Sequence, residues 1–542
     1  MIGDPSQSVE VRVSLATQIR TPPYWFRFLI PSVADLIFIV LLIALMCGAL
    51  APRLLKDGGT GWHIRDGQQI LLTHSITRTD TFSYTMRGQP WFAWEWLYDV
   101  VIAAIHQWLG LNGIVFFTAV VIAATFALVL RLALHREGSL PVAVILMMLA
   151  VGASTIHFFA RPHVLSWLLT VIWFQLLDSS ETALETAADA KQDRRLLWLP
   201  VIMLLWANLH GGFLLGIALC GIYLIAGLIR YFSDKEDRQK IGPGLKRLAV
   251  ASLFSLLATF VNPYGYKLHV HIYQYLSNRF LMNHIDEFLS PNFHGVAQQC
   301  FAALLLITVA AVATKRQKLR LSHLLVMIFA AYSGLYASRN LPVSSILLTM
   351  IVAPIMSASI FDTDALQRMT SRLRALILRG NAFAARMTDM ELRFRGHLWP
   401  ALALLLGLLV CIQHGRLGGR QVMEAQFDAK RFPVQAVEVI AQRGIQDPIF
   451  APDYWGGYLI YRFFPDPRVF VDDRHDLYGE RFLKDYLKVM HVQPGWEKFL
   501  NERQVQWILA PGEGSLANIL KETTAWKVIY EDSTAVLFQR AK

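Results

Sequence analysis

The chain has 542 residues, of which 54% are hydrophobic and only 17% charged, and its formal net charge is +11. A soluble chain carries nearer a quarter of charged residues, and the mean hydropathy here is +0.39. Apolar segments able to cross a bilayer recur from Pro31 to His414 and then stop, which excludes a soluble enzyme, a single-span receptor and a β-barrel.

Residues 1–30 are polar, and the apolar run after them is long and lacks a small-residue cleavage site. The first span is therefore expected to be an anchor and not a removable signal peptide. Eleven segments are predicted to span: 31–51, 113–134, 140–159, 163–178, 197–208, 212–229, 248–261, 297–314, 321–337, 341–360 and 398–414. Several are shorter than the roughly 20 residues a straight span needs, so flanking aromatic residues extend them or they are broken helices inside the bundle. The expected fold is an all-α polytopic bundle of about eleven transmembrane helices over 31–414, with a long first outer loop at 52–112. A further apolar stretch, Trp94 to Leu109, contains Glu95, Asp99 and His106 and breaks at Gly110-Leu111-Asn112-Gly113; it reads as an interfacial helix.

Charge sets the expected orientation. With eleven spans and residues 1–30 in the cytoplasm, the cytoplasmic segments hold 25 of the 51 Lys and Arg residues, and the opposite loops hold nine. Counting Trp94–Leu109 as a span would put Lys315-Arg316-Gln317-Lys318-Leu319-Arg320 on the wrong side. By the same parity the C-terminal domain is expected outside the cytoplasm. The positive excess is thus topological, and no nucleic-acid partner is implied. The Arg-rich stretch 368–395 reads as an amphipathic segment on anionic lipid.

Residues 415–542 form a soluble extracytoplasmic α/β domain, with 17 basic and 17 acidic residues. Helices are predicted over 431–443 and 480–489, strands over 448–451, 469–471 and 505–510, and a terminal hairpin over 526–539. The cysteines, Cys47, Cys220, Cys300 and Cys411, lie in or beside apolar segments and build no disulfide framework for this tail.

Candidate chemistry sits at the outer ends. Loop 52–112 mixes Asp57, His63, Asp80 and Glu95 with arginines and, up to Leu97, four tryptophans, which suits a ligand with a polar headgroup and an apolar tail. An aromatic belt with solvated charges is the bland alternative for the tryptophans. Arg161, His163, His210, Lys267 and Arg339 also fall at predicted outer ends. Asn208-Leu209-His210-Gly211-Gly212 interrupts two short apolar segments, as a broken helix lining a cavity would, and Asn262-Pro263-Tyr264-Gly265 reads as a helix end. Glu287 is a further candidate, on the acceptor side. In the tail, Asp472-Asp473-Arg474-His475-Asp476 follows a strand, where loops commonly carry ligands; an internal salt-bridge cluster fits it equally. No phosphate-binding glycine motif is present.

An acidic residue just after the first span, a long outer loop with juxtamembrane helices and a short polar second outer loop resemble the GT-C glycosyltransferases. These polytopic enzymes take a sugar from a polyprenyl-phosphate or polyprenyl-diphosphate lipid; the oligosaccharyltransferase, protein-mannosyltransferase and lipid A aminoarabinose-transferase branches share the layout. A second resemblance, to a group of bacterial membrane proteins usually placed beside those enzymes, spans almost the whole chain. It is carried by Asp57-x-x-x-Gly61-Trp62-His63, Asp80-x-Phe82-Ser83-Tyr84, Glu95-Trp96-Leu97, Arg161-Pro162-His163, Asn208-Leu209-His210-Gly211-Gly212, Asn262-Pro263-Tyr264-Gly265, Ser338-Arg339-Asn340, Gly456-Gly457-Tyr458 and Asp472-Asp473-Arg474.

The resemblance implies that Asp57, with His63 beside it, is catalytic and positions or deprotonates the acceptor. The cationic and imidazole groups Arg161, His163, His210, Lys267 and Arg339 would hold the donor phosphate, arginine bidentately. Asp80, Glu95, Glu287, Asp472 and Arg474 are further site candidates. The implied partners are a lipid-linked sugar donor and an extracytoplasmic glycan, lipid or protein acceptor. The sequence departs from the family in two places: the short loop at 160–163 has no acid, and Asp57 is followed by Gly58. A divalent metal, Mg or Mn, therefore stays an open expectation, because Asp57 and His63 alone lack ligand spacing. A transporter or flippase is the alternative, but no repeated halves are apparent and the charges gather at the outer rim.

Overall fold

The computed structural model describes residues 23–185, 194–233, 235–314, 319–360, 370–394, 396–466 and 468–541. Most of the expected segment 1–30 lies outside these residues, as do parts of the basic run 315–320 and of the stretch 368–395.

All eleven apolar segments are helical, but length divides them. Among the described residues seven helices are long and apolar enough to cross a membrane: Phe26–Met46, Trp96–His135, Leu140–His157, Phe213–Ser233, Arg238–Ala258, Val296–Thr314 and Ser338–Ile360. An eighth crossing results if Arg374–Arg393 and Leu398–Ile412, bent by 61°, act as one. The other expected segments form helices too short or too polar to cross by themselves, as expected of broken helices inside the bundle. Trp198–Leu209 has 12 residues and rises about 18 Å, too little for a core of about 30 Å. Leu321–Tyr336 has only 16 residues. His163–Glu185 packs Val164, Trp167, Val171, Trp173 and Phe174 inside the bundle.

Helix ends follow local chemistry. Val33–Met46 opens with a capping box: Ser32 Oγ accepts the Asp35 N–H and Asp35 accepts the Ser32 N–H. Glu391, from the arginine-rich helix Ser371–Arg393, accepts the N–H groups of Val33 and Ala34 at 2.6 and 3.1 Å. That helix is therefore tied to the bundle at its C-terminal end, while Leu376, Leu378 and Phe383 stay exposed.

The predicted break near residue 110 is present but narrower than expected. Helix runs from Trp96 to His135 and only Gly110 leaves helical geometry, at φ 60° and ψ −156°. The expected interfacial helix and the following span form one bent element.

The tail carries a four-stranded sheet. Strands β1 (Ile449–Phe450), β2 (Trp507–Pro511), β3 (Trp526–Glu531) and β4 (Ala535–Arg540) lie in the order β1-β2-β4-β3, with β1 and β2 parallel and the other pairs antiparallel. The expected strand 469–471 is reduced to bridges from Val469 to Ile449 and to Ser83 of the long loop. The helix Asp453–Phe463 has no counterpart among the predicted elements. It lies across helix Gly59–Thr73 so closely that a Cβ on Gly61 would sit 2.1 Å from the Gly457 carbonyl oxygen, and one on Gly457 would sit 2.2 Å from that of Gly58. Trp62, Phe82 and Trp91 of the loop share a core with Phe432, Trp455, Tyr458 and Val469 of the tail.

Candidate active site

Helix Gly59–Thr73 starts where Asp57 folds back: Asp57 Oδ1 accepts the Gly59 N–H at 2.8 Å. The same oxygen accepts from Arg161 Nη1 at 3.1 Å, and Asp473 Oδ2 of the tail accepts from that nitrogen at 2.9 Å. Gly59 is required here, because a Cβ would lie 1.4 Å from Arg161 Nη1. Asp473 Oδ1 also accepts from Trp62 Nε1 at 2.9 Å, and the Arg161 guanidinium lies over the Trp62 ring. Burial opposes the arginine's charge, yet Asp57, Asp473 and Glu95 together raise its pKa above the ordinary value. Both carboxylates use Nη1. Among the described residues Nε and Nη2 of Arg161 make no hydrogen bond, so donors remain for an incoming anion.

Glu95 stands next to this pair, between two imidazoles: Oε2 is 3.8 Å from His63 Nε2 and Oε1 is 3.6 Å from His210 Nε2. His63 is fully buried, stacked on Trp62 and bonded through Nδ1 to Asp99. Burial, reinforced by Arg161 and His210, lowers its pKa well below the ordinary value. Burial and Arg339 do the same to His210. Burial also lifts Glu95 to about 7, against the pull of Arg161 and Arg339.

Arg339 pairs with Glu287 at 3.3 Å and lies over Phe288. Burial alone would raise the Glu287 carboxyl, but Arg339, with help from His157 and Arg161, brings it down to about 2. His163 turns its Nε2 to the His157 carbonyl at 2.8 Å. Arg161 thus exerts its field on both Glu95 and Glu287, and Asp57, His63, Arg161, His210 and Glu95 form one connected cluster. Lys267 is exposed at the head of helix Lys267–Ser277, and no ion pair joins it to the cluster among the described residues.

Asp80, Asp472 and Arg474 occupy a different place. Arg474 Nη2 donates to Asp80 and Asp472, each at 2.7 Å, and Nε donates to Asp472 at 2.8 Å, all in a buried setting under Trp91 and Phe82. This cluster clamps the tail onto the long loop. Asp99 did not stand among the sequence candidates, and Asp473 did so only as part of the run 472–476. Asp473 lay between two named singly, and Asp99 was visible as a charge inside an apolar stretch, itself a functional signal.

An apolar cleft of about 740 Å³ is lined by Trp96, Leu97, Trp198, Ile202, Leu205, Asn208, Val261 and Pro263. Trp96 follows Glu95 in the chain, and Asn208 lies two residues before His210. Asn208 holds this corner by accepting from Trp96 Nε1 at 2.9 Å and donating to the Val261 carbonyl at 2.9 Å. Trp198, Val201 and Val261 are more than half exposed at the cleft's rim.

The donor set does not fit a metal at this cluster. Among the described residues, the one group of three ligating side chains close enough to share an ion is Asp178, Glu181 and His323. Asp178 lies 15 residues along its helix from His163, about 22 Å away. Arg136 already pairs with it at 2.6 Å, and His323 bonds to it.

The chain superposes on ArnT from Cupriavidus metallidurans in the apo state over 98% of this chain and 98% of that one, at 14% identity and a TM-score of 0.50. It also superposes on the archaeal oligosaccharyltransferase AglB from Archaeoglobus fulgidus in complex with an inhibitory peptide and a dolichol-phosphate. That match covers 94% of this chain and 74% of the other, at 11% identity and a TM-score of 0.51. No protein-family model and no curated protein matches the sequence. The likeness is therefore one of fold, and it agrees with the helices described above: the chain is a multi-pass membrane protein with the GT-C fold.

Proposed function

We propose that the protein is a membrane glycosyltransferase that moves a hexosyl or pentosyl group from a polyprenyl-phosphate-type lipid to an extracytoplasmic glycan, lipid or protein. The observation that carries this reading is a single corner of the molecule. There an arginine with unused donors and a carboxylate between two imidazoles form one cluster, and an apolar cleft of about 740 Å³ is lined by Trp96 and Asn208, close chain neighbours of Glu95 and His210. A lipid phosphate needs both environments at once, hydrocarbon for its tail and a charged fork for its head. The dolichol-phosphate in the AglB complex supports the same class of ligand.

In this reading Arg161 receives the phosphate, and Asp57 and Asp473 hold the guanidinium in place. As the acceptor oxygen bonds to the anomeric carbon, the bond to the phosphate oxygen breaks and the phosphate leaves with its electron pair, onto the unused donors of Arg161. The charge distribution supports an inner-membrane location with the tail outside the cytoplasm.

Binding of undecaprenyl phosphate to the purified full chain, compared with undecaprenol, tests the proposal. The phosphate-bearing lipid is expected to bind at least about tenfold more tightly, the worth of one charge-assisted pair, and Arg161→Gln is expected to erase most of that difference. Equal affinity for both lipids would overturn the reading.

A further inference from the structure

The acids behind Glu95 take no part in phosphate binding, yet they form the most completely buried charged group on this side of the protein. His63, Asp66 and Asp99 are each 0% exposed. Among the described residues no arginine or lysine pairs with Asp66, Asp99 or Glu95, so three carboxyl groups and one neutral imidazole share a volume that cannot hold three negative charges.

Hydrogen bonds fix the direction of this chain. His210 Nδ1 accepts the Gly212 N–H at 3.0 Å, which puts its proton on Nε2, toward Glu95 Oε1. Giving the His63 Nδ1 proton to its bond with Asp99 leaves His63 Nε2 as a lone pair. That nitrogen is buried, has no hydrogen-bond partner among the described residues, and faces Glu95 Oε2. Glu95 therefore meets a donor with one oxygen and a waiting acceptor with the other. Asp57 differs: its Oδ1 is occupied by both Arg161 and the Gly59 N–H.

Resting on the glycosyltransferase reading, we propose that Glu95 is the proton acceptor of the reaction, and that His63, Asp99 and Asp66 form a positioning chain that holds the proton behind it. The acceptor hydroxyl forms its bond to the anomeric carbon and the bond to the lipid phosphate breaks. The hydroxyl proton moves to Glu95 Oε2, which His63 Nε2 faces as a neutral acceptor, and the bond to Asp99 keeps the imidazole in that orientation. The proton returns through Glu95, the member of the chain nearest solvent at 8% exposed, once the lipid phosphate departs. Other charges felt by Glu95 are Arg161 and Arg339, which lower its proton affinity, and Asp476 and Glu287, which raise it. Asp66, lifted by burial to about 6, has the reserve affinity that a proton-holding chain requires.

The full chain in lipid nanodiscs, titrated from pH 5 to pH 9 and followed by carboxyl infrared bands, tests this directly. A protonated-carboxyl band is expected to disappear as pH rises through about 7, to be absent in Glu95→Gln, and to shift its midpoint by a unit or more in Asp99→Asn. All three proteins are expected to bind undecaprenyl phosphate within a fewfold of one another. In cells whose glycan profile depends on this chain, Glu95→Gln is expected to reduce the product at least about a hundredfold, and Asp57→Asn by less. A titration unchanged in Asp99→Asn overturns the positioning chain, and full product from Glu95→Gln overturns the acceptor role while the transferase reading stands. Failure of the wild type to bind undecaprenyl phosphate removes that reading and this assignment together.

Discussion

Replacing Arg474 by methionine is expected to cost about 3–5 kcal/mol at the joint between the tail and the long loop, the usual penalty for stranding buried charges. Methionine fills much of the same volume, so the loss is electrostatic. Asp80 and Asp472 are both 0% exposed, and the arginine neutralises the two of them at 2.7 Å. Their other bonds do not bring a compensating positive charge: Asp80 accepts from Ser83, and Asp472 from Tyr478. Hydrogen exchange on the full chain reads the effect locally, with faster exchange expected across 78–91 and 469–478 and little change in the helices far from the tail. Adding Asp80→Asn and Asp472→Asn to Arg474→Met is expected to recover part of the loss, because the penalty lies in the charges left behind. Unchanged exchange in the single variant would show that the clamp contributes nothing.

The clamp also marks how far the sequence could be read. Asp472-Asp473-Arg474 was visible as a charged run after a buried segment, and both a ligand loop and a salt-bridge cluster fitted it. The structure divides the run, with Asp472 and Arg474 in the clamp and Asp473 on Arg161. Nothing in the spacing tells that Arg474 reaches an acid 394 residues away while its neighbour Asp473 reaches an arginine 312 residues away. The apolar segments were legible because each is a local pattern, and all eleven are helical. Their crossing was less so, since a 12-residue helix such as Trp198–Leu209 looks like a weak span until its neighbours are known. Helix Asp453–Phe463 escaped because Gly456 and Gly457 lower helix propensity by about 1 kcal/mol each. Those glycines are there for contact, since a Cβ on Gly456 would sit 2.4 Å from the Val471 carbonyl oxygen. The pairing of Glu95 with His63 and His210 depends on three separate elements meeting, and only the residue types were legible in advance.

A second glycine contact governs the chemistry. Gly67→Ala is expected to destabilise the protein by at least the upper end of the roughly 1–3 kcal/mol that overpacking costs. A Cβ at Gly67 would lie 1.9 Å from the Asp99 carbonyl oxygen and 2.7 Å from Ala103 Cβ, and a helix backbone cannot turn aside as a side chain can. Alanine gains about 1 kcal/mol of helix propensity over glycine, so the clash outweighs it. Gly221 makes the opposite case: it lies in helix Phe213–Ser233 with nothing within 4 Å of its added Cβ, and Gly221→Ala is expected to leave stability unchanged or improve it. Thermal unfolding of the two variants in the same detergent therefore separates a packing requirement from a general intolerance of alanine. Because His63 and Asp99 sit on the two helices that Gly67 holds together, parting them lengthens the imidazole–carboxylate bond and frees His63 to turn. Gly67→Ala should then move the carboxyl titration near pH 7 even where the protein stays folded. If Gly67→Ala matched Gly221→Ala in both stability and titration, the close helix crossing would not be what places His63 against Asp99.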